Sequence, residues 1–113
     1  MSFFDSDIIR EEMESIFSMQ SEIYKNIQYF PKMSRSEKFN HVECLSNLLE
    51  KQRVLYARLS LSDDPEAIQM KNKIEEAVNI LGFENADMNL IFKSMQRTIE
   101  NLQKNITLDT KGT

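Results

Sequence analysis

Apolar residues recur at alternating spacings of four and three along this chain, and this pattern constrains its fold more than any other feature. A repeat near 3.5 residues places such side chains on one stripe of an α-helix. The sequence therefore predicts an all-α fold, an antiparallel bundle of about four helices, two long followed by two shorter. The stripe of the first segment is Ile9, Met13, Ile16, Gln20, Ile23, Ile27 and Phe30. The stripe of the last is Met88, Phe92, Met95, Ile99, Leu102 and Ile106.

Capping signals mark the first two predicted helices. Asp5 or Ser6 is a suitable start for the first helix, which we expect to run to about Phe30, since Pro31 disfavours helical geometry in the residue before it. Ser34 followed by Glu37 forms a capping box that starts the second helix. The apolar stripe of the second helix is Val42, Leu45, Leu49, Tyr56 and Leu59, widened by Leu48 and Leu55.

The third and fourth helices have similar signals. Asp64 before Pro65 starts the third helix, and Gly82 ends it. We expect Asn85 or Asp87 to start the fourth helix, which runs to about Ile106. The chain is thus predicted to be one domain over residues 1–106 with a frayed polar tail over 107–113, and short connections predict that successive helices run antiparallel. The stripe of the third helix is Ala67, Met70, Ile74, Ala77 and Leu81.

Composition indicates the cellular location that we expect for the protein. The 113 residues include a single cysteine, Cys44, which excludes an intramolecular disulfide. The first residues lack the basic and long apolar stretches of a signal peptide, and no segment has about 18 uninterrupted apolar residues, as a membrane span requires. We therefore expect a cytoplasmic protein that does not contact a membrane.

The sequence offers little for catalysis or for a cofactor. His41, the only histidine, shares a helix face with Glu37 and Cys44, which is too small a set for a metal site, and we expect Cys44 to be a small buried apolar residue. With Gly82 and Gly112 as the only glycines, no glycine-rich phosphate loop can form. We predict no catalytic, cofactor-binding or metal-binding residues, and hence no enzyme.

A basic stretch in the second helix suggests one alternative function. Lys51, Arg53 and Arg58 flank Tyr56, and interleaved basic and aromatic residues are typical of proteins that bind single-stranded nucleic acid. The net charge of −4 argues against such binding. The competing interpretation is a charged face that pairs with the acidic first or third helix.

Apolar residues outside the central stripes suggest a protein interface, because aromatic residues and methionine are enriched in interfaces. One small core cannot bury all of them. For the two phenylalanines at the start, the alternative is that they staple the entry to the first helix. The candidate interface residues are Phe3, Phe4, Phe17, Met19, Tyr24 and Tyr29.

Three parts of the sequence are distinctive: Phe3 to Glu12, Leu48 to Arg53 continuing through Tyr56 to Ala67, and Ala86 to Phe92 with Met95 and Gln96. They resemble a cyanobacterial family, domain-of-unknown-function family 1825, and the similarity covers roughly residues 3–105. This resemblance implies a cytoplasmic helical protein of a cyanobacterium or of a phage that infects one. It implies no activity and no functional residues.

Together these observations predict a small non-enzymatic protein–protein interaction module. We expect it to act as an adaptor or regulator that binds a larger cytoplasmic protein, and a homodimer is open as well. The alternative from another class is a nucleic-acid- or transcription-associated factor that uses Lys51, Arg53 and Arg58.

Overall fold

The computed structural model of the chain describes residues 2–83 and 87–109, with side chains as far as residue 107. The helices are α1 (Asp7–Asn26), α2 (Arg35–Leu61), α3 (Pro65–Ile80) and α4 (Met88–Asp109), and 3₁₀ helices cover Phe3–Asp5 and Ile27–Lys32. The predicted all-α fold with four helices is confirmed. The expected order of lengths is not kept, since α4 has 22 residues and α1 has 20.

The helix ends confirm most of the capping predictions. Ser34 and Glu37 bond each other's backbone N–H groups in a capping box, and the Asp64 carboxylate accepts a hydrogen bond from Glu66 N at 2.8 Å. Gly82, just past α3, has a φ of 102°, which side chains rarely tolerate. The Asp87 carboxylate accepts from Asn89 N at 2.8 Å, whereas the other predicted start, Asn85, lies outside the described residues.

Two helix boundaries differ from the sequence predictions. In an α-helix, Pro31 would have to bond the carbonyl of Ile27, but proline has no N–H. Helix α1 therefore ends at Asn26, and Pro31 sits inside the following 3₁₀ helix instead of marking the end of α1 at Phe30. Helix α4 continues three residues beyond the expected Ile106, to Asp109, and the rest of the predicted tail lies outside the described residues.

Helix α2 is the element on which the other three helices pack. Its stripe of Leu48, Leu55 and Leu59 meets α1 and the start of α3, whereas Leu49 meets α4 in a second cluster. A shift of one residue turns a side chain by about 100° around a helix, so α1 and α4 contact different sides of α2. The first cluster also buries Ile9, Ile16, Ile23 and Ala67, and the second buries Met88 and Phe92.

Helices α1, α3 and α4 all run antiparallel to α2. For α3, Ala67 packs with Leu59 while Ile74 and Val78 reach the cluster around Leu49. For α4, Phe92 contacts Leu49, and the later residue Gln96 bonds the earlier Ser46 at 3.3 Å. The expectation that α3 and α4 are antiparallel to each other is therefore wrong.

Contacts of Tyr56 on α2 show that α3 and α4 lie side by side on this helix. The Tyr56 hydroxyl donates to Glu75 of α3, and the Tyr56 ring lies 6.0 Å from that of Phe92 on α4. None of the helices in the described part of the chain is long and apolar enough to cross a membrane.

Candidate interaction surface

The apolar stripe of α1 is divided between two directions. Ile9, Ile16 and Ile23 are buried against α2, whereas Gln20 on the same stripe is exposed. Beside Gln20 lie Phe17 and Tyr24, whose exposed fractions are 71% and 83%. Met13, Phe17, Gln20 and Tyr24 follow one another at spacings of four, three and four, so they form a continuous second face of α1.

Helix α4 has the same division. Phe92 and Ile106 are buried, but Met95 and Leu102, predicted as core residues, remain 47% and 41% exposed. These two residues lie on a flank of α4 beside its contact with α2. In both α1 and α4, one half of the apolar stripe packs on α2 and the other half is exposed. This is expected for a helix whose apolar surface is wide enough for two neighbours.

Polar contacts show where these leftover faces point. Viewed along the axis of α2, the surface that the other helices cover extends from Arg58 on one side to Ser46 on the other. Leu45 lies between these two residues. Arg58 Nε bonds Glu12 of α1 at 3.1 Å, and Ser46 bonds Gln96 of α4. Glu12 and Gln96 therefore occupy the outer flanks of their helices.

The opposite flanks of α1 and α4 face each other across α2. We call the surface between these flanks the trough, with Phe17 and Tyr24 of α1 on one side and Met95 and Leu102 of α4 on the other. Leu45, which is partly buried, lies at its floor.

Helix α3 fills only one end of this trough. Its Met70 and Ile74 pack on the first cluster, and Ile74 and Val78 pack on the second, so α3 bridges α1 and α4 over the C-terminal half of α2. The predicted stripe residues Ala77 and Leu81 are exposed, because Val78 takes the contact with the second cluster. Beyond Ile80, no described residue covers the trough.

The α4 wall of the trough carries uncharged side chains, whereas Lys38 lies seven residues before Leu45 on the same face of α2. On α4, Ile91, Met95, Thr98, Leu102 and Asn105 follow one flank at spacings of four and three. The charged residues between Met88 and Thr107 lie on nearly the opposite side of the helix. These charged residues are Lys93, Arg97, Glu100 and Lys104.

Two of the predicted interface residues lie in the N-terminal 3₁₀ helix. Phe3 and Phe4 are partly buried against the first cluster, with their rings edge to face at 5.1 Å. The backbone N–H of Phe3 donates to the Asp64 carboxylate at 2.5 Å. This N-terminal turn is therefore docked on the start of α3.

Met19 and Tyr29 also lie away from the trough. Met19 is partly buried in the first cluster, on the flank of α1 opposite Phe17. Tyr29 is exposed in the 3₁₀ helix after α1. Of the six predicted interface residues, only Phe17 and Tyr24 face the trough.

A cleft of about 320 Å³ between α1 and α2 contains the only histidine and cysteine, with Glu22 and Glu37 nearby. The buried His41 ring packs against Phe30 with 5.5 Å between ring centres, a structural role. Cys44 is exposed, so its predicted burial is wrong: α1 covers the neighbouring His41 face and leaves Cys44 at the cleft edge. Among the described residues, no three His, Cys, Asp or Glu side chains are grouped to hold a metal ion.

The basic stretch does not form one surface. Arg53 and Lys51 project from nearly opposite sides of α2. Arg53 Nε donates to Glu50 at 2.9 Å, and this hydrogen bond lowers the pKa of Glu50. Arg58 pairs with Glu12 of α1, which is the pairing that the charged-face interpretation predicts.

Sequence reasoning missed Met95 and Leu102 as surface residues. The available signal was the arrangement of charge on α4, where the charged residues between Met88 and Thr107 all share one stripe. Such a helix has a neutral surface wider than one neighbour covers.

Comparison with known proteins identifies one family. The model of the family described as Domain of unknown function (DUF1825) matches residues 1–106. Neither a curated protein nor a solved structure matches the chain.

Proposed function

The chain belongs to the DUF1825 family, and we propose that it is a small non-enzymatic protein–protein interaction module that binds through the trough between α1 and α4. The observation that carries this proposal is the exposure of Phe17 and Tyr24 on one wall, opposite Met95 and Leu102 on the other. Large aromatic side chains contribute most to interfaces, and each buried large side chain stabilises a complex by about 1.5–3 kcal/mol.

The packing of α3 supports this use of the trough. The apolar face of α3 already packs between the same walls, through Met70, Ile74 and Val78. The open end of the trough continues this surface with the same kind of side chain. A partner that presents an apolar helical face would extend the packing that α3 begins.

Three of the polar residues considered for other functions make contacts within the fold. Arg53 and Arg58 are each paired with a glutamate, and His41 packs on Phe30. These contacts favour an interaction module over a nucleic-acid-binding protein or an enzyme. We place the module in the cytoplasm of a cyanobacterium, or of a cyanobacterial cell infected by a phage, where it acts as an adaptor or regulator.

Site-specific photo-crosslinking tests this proposal. The full chain, carrying a photoreactive phenylalanine at position 24, is produced in cyanobacterial cells and irradiated. Leu90 is the matched control position, since it is 63% exposed but lies on the side of α4 away from the trough. We expect position 24 to form a discrete crosslinked species with a protein, and position 90 to form none.

Two outcomes would contradict the proposal. One is the absence of any crosslink from position 24, and the other is equal crosslinking from positions 24 and 90. Phe17→Ser in the same chain should reduce the crosslink, because it removes the neighbouring apolar contact. Circular dichroism of the variant should show unchanged helix content, since Phe17 makes little contact with the core.

A further inference from the structure

We infer that the protein that covers the trough is a second copy of this chain, so that two copies pack trough to trough about a two-fold axis. This inference rests on the proposed function and names its partner. Three features of the chain carry it: the area left exposed, the distribution of charge and the apolar end of α3.

The exposed area is larger than one compact chain of this mass requires. The accessible surface is 8411 Å² for 13.3 kDa, whereas a folded monomer of that mass exposes roughly 6,500 Å². The radius of gyration is 16.5 Å, against about 13 Å for a compact domain of this length. A standard interface buries about 800 Å² of each partner. One copy therefore has enough surplus surface for such an interface.

The charge distribution on α4 is compatible with a copy of the same chain as the partner. Two molecules with a net charge of −4 repel each other. A two-fold axis also brings each surface onto itself, so any charge near the axis meets an equal charge. The α4 wall avoids the second cost, because Lys93, Arg97, Glu100 and Lys104 lie on the side of α4 away from the trough. On the floor, Lys38 is partly buried, with its Nζ 5.7 Å from the centre of the Phe30 ring.

The end of α3 adds an apolar surface next to the open trough. Ile80, Leu81 and Phe83 are all exposed where α3 stops filling it. In a two-fold pair, each copy can supply both these residues and the trough walls. A self-complementary surface needs such a combination on one molecule.

Sedimentation equilibrium of the purified full chain tests the inference. We expect the wild type to have twice the monomer mass of 13.3 kDa at micromolar concentration. Leu102→Asp places a charge on the trough wall and should raise the dimer dissociation constant about 100-fold or more, because a charge buried without a counter-ion is strongly unfavourable. Tyr24→Asp, on the opposite wall, should act in the same way.

Leu90→Asp and Ile8→Asp are the matched controls on α4 and α1, since both residues are exposed outside the trough. Both variants should remain dimeric, and circular dichroism should show that all four variants are folded. A monomeric wild type at 100 µM, or equal dissociation of the wall and control variants, would overturn the inference. A monomer that still gives trough-specific crosslinks to another protein would overturn the dimer alone, whereas a monomer without such crosslinks would also overturn the proposed function.

Discussion

At the scale of single residues, Tyr56 connects three helices. It lies on α2, its ring is 6.0 Å from that of Phe92 on α4, and its hydroxyl donates to Glu75 Oε1 on α3 at 2.7 Å. Burial and the hydrogen bond to a carboxylate both favour the neutral phenol and raise the pKa of Tyr56 to about 12. The residue thus makes the packing of α3 and α4 on α2 sensitive to alkaline pH.

Tyr56→Phe tests this coupling. In the unfolded chain tyrosine loses its proton near pH 10, before the folded chain does, so the stabilisation from Tyr56 is complete below pH 10 and is lost as the pH rises towards 12. Over this pH range, we expect the free energy of unfolding of the wild type to fall by about 1 kcal/mol more than that of Tyr56→Phe. This value allows for solvent screening, because Tyr56 is only partly buried. Urea unfolding at pH 8 to 11.5 measures the difference. The control Tyr29→Phe should follow the wild type, and a decline retained in Tyr56→Phe would contradict the argument.

At the scale of elements, the start of α3 holds the N-terminus of the chain. Asp64 caps α3 through the N–H of Glu66 and also accepts the N–H of Phe3. The Ser2 hydroxyl bonds Glu66 at 2.5 Å in the same region. A capping residue predicted from the sequence therefore has a second role, because it docks the N-terminal turn on α3.

Asp64→Ala is expected to destabilise the fold by about 1–2 kcal/mol, since it removes a helix cap and a hydrogen bond to a second segment. The neighbouring Asp63→Ala is the matched control. Asp63 is exposed, so its replacement should change the free energy of unfolding by less than about 0.5 kcal/mol. Urea denaturation of the two variants measures the comparison, and equal effects would show that the cap contributes little.

At the scale of the whole molecule, α2 belongs to both hydrophobic clusters, whereas α1 and α4 each pack on one side of it. Residues Leu55 and Leu59 of α2 are buried among three elements. Helix α4, by contrast, leaves Met95 and Leu102 half-exposed. Local stability should therefore be highest in the middle of α2 and lower along α4.

Hydrogen exchange measures this order. In the monomeric Leu102→Asp variant, we expect amides of α2 between Leu48 and Leu59 to exchange most slowly. Amides of α4 from Met95 to Ile106 should exchange much faster, because that part of α4 packs on α2 alone. If a second copy covers the trough, amides in the same part of α4 should exchange more slowly in the wild type than in this variant. Exchange from α4 as slow as from α2 in the variant would contradict this picture.

Much of the local structure follows from residue types. The capping box at Ser34, the cap at Asp64 and the end at Gly82 are local interactions, and each lies where the sequence predicted it. The end of α1 was missed by four residues, because the missing N–H of Pro31 affects the carbonyl four residues earlier. Of the candidate site, Phe17 and Tyr24 were identified from their positions off the stripe, but Met95 and Leu102 were assigned to the core.

The sequence by itself determined the helices, their ends and their apolar faces, because these depend on side chains within a few residues of one another. Only the tertiary structure decided which half of each apolar stripe is covered, since that depends on where distant helices lie around α2. Phe3 and Phe4 are partly buried against the first cluster because the chain returns past them at Asp64. Leu102 stays half-exposed because α3 ends before reaching it. Contacts between residues far apart in the chain therefore decide that Met95 and Leu102, predicted as core residues, lie on the candidate surface.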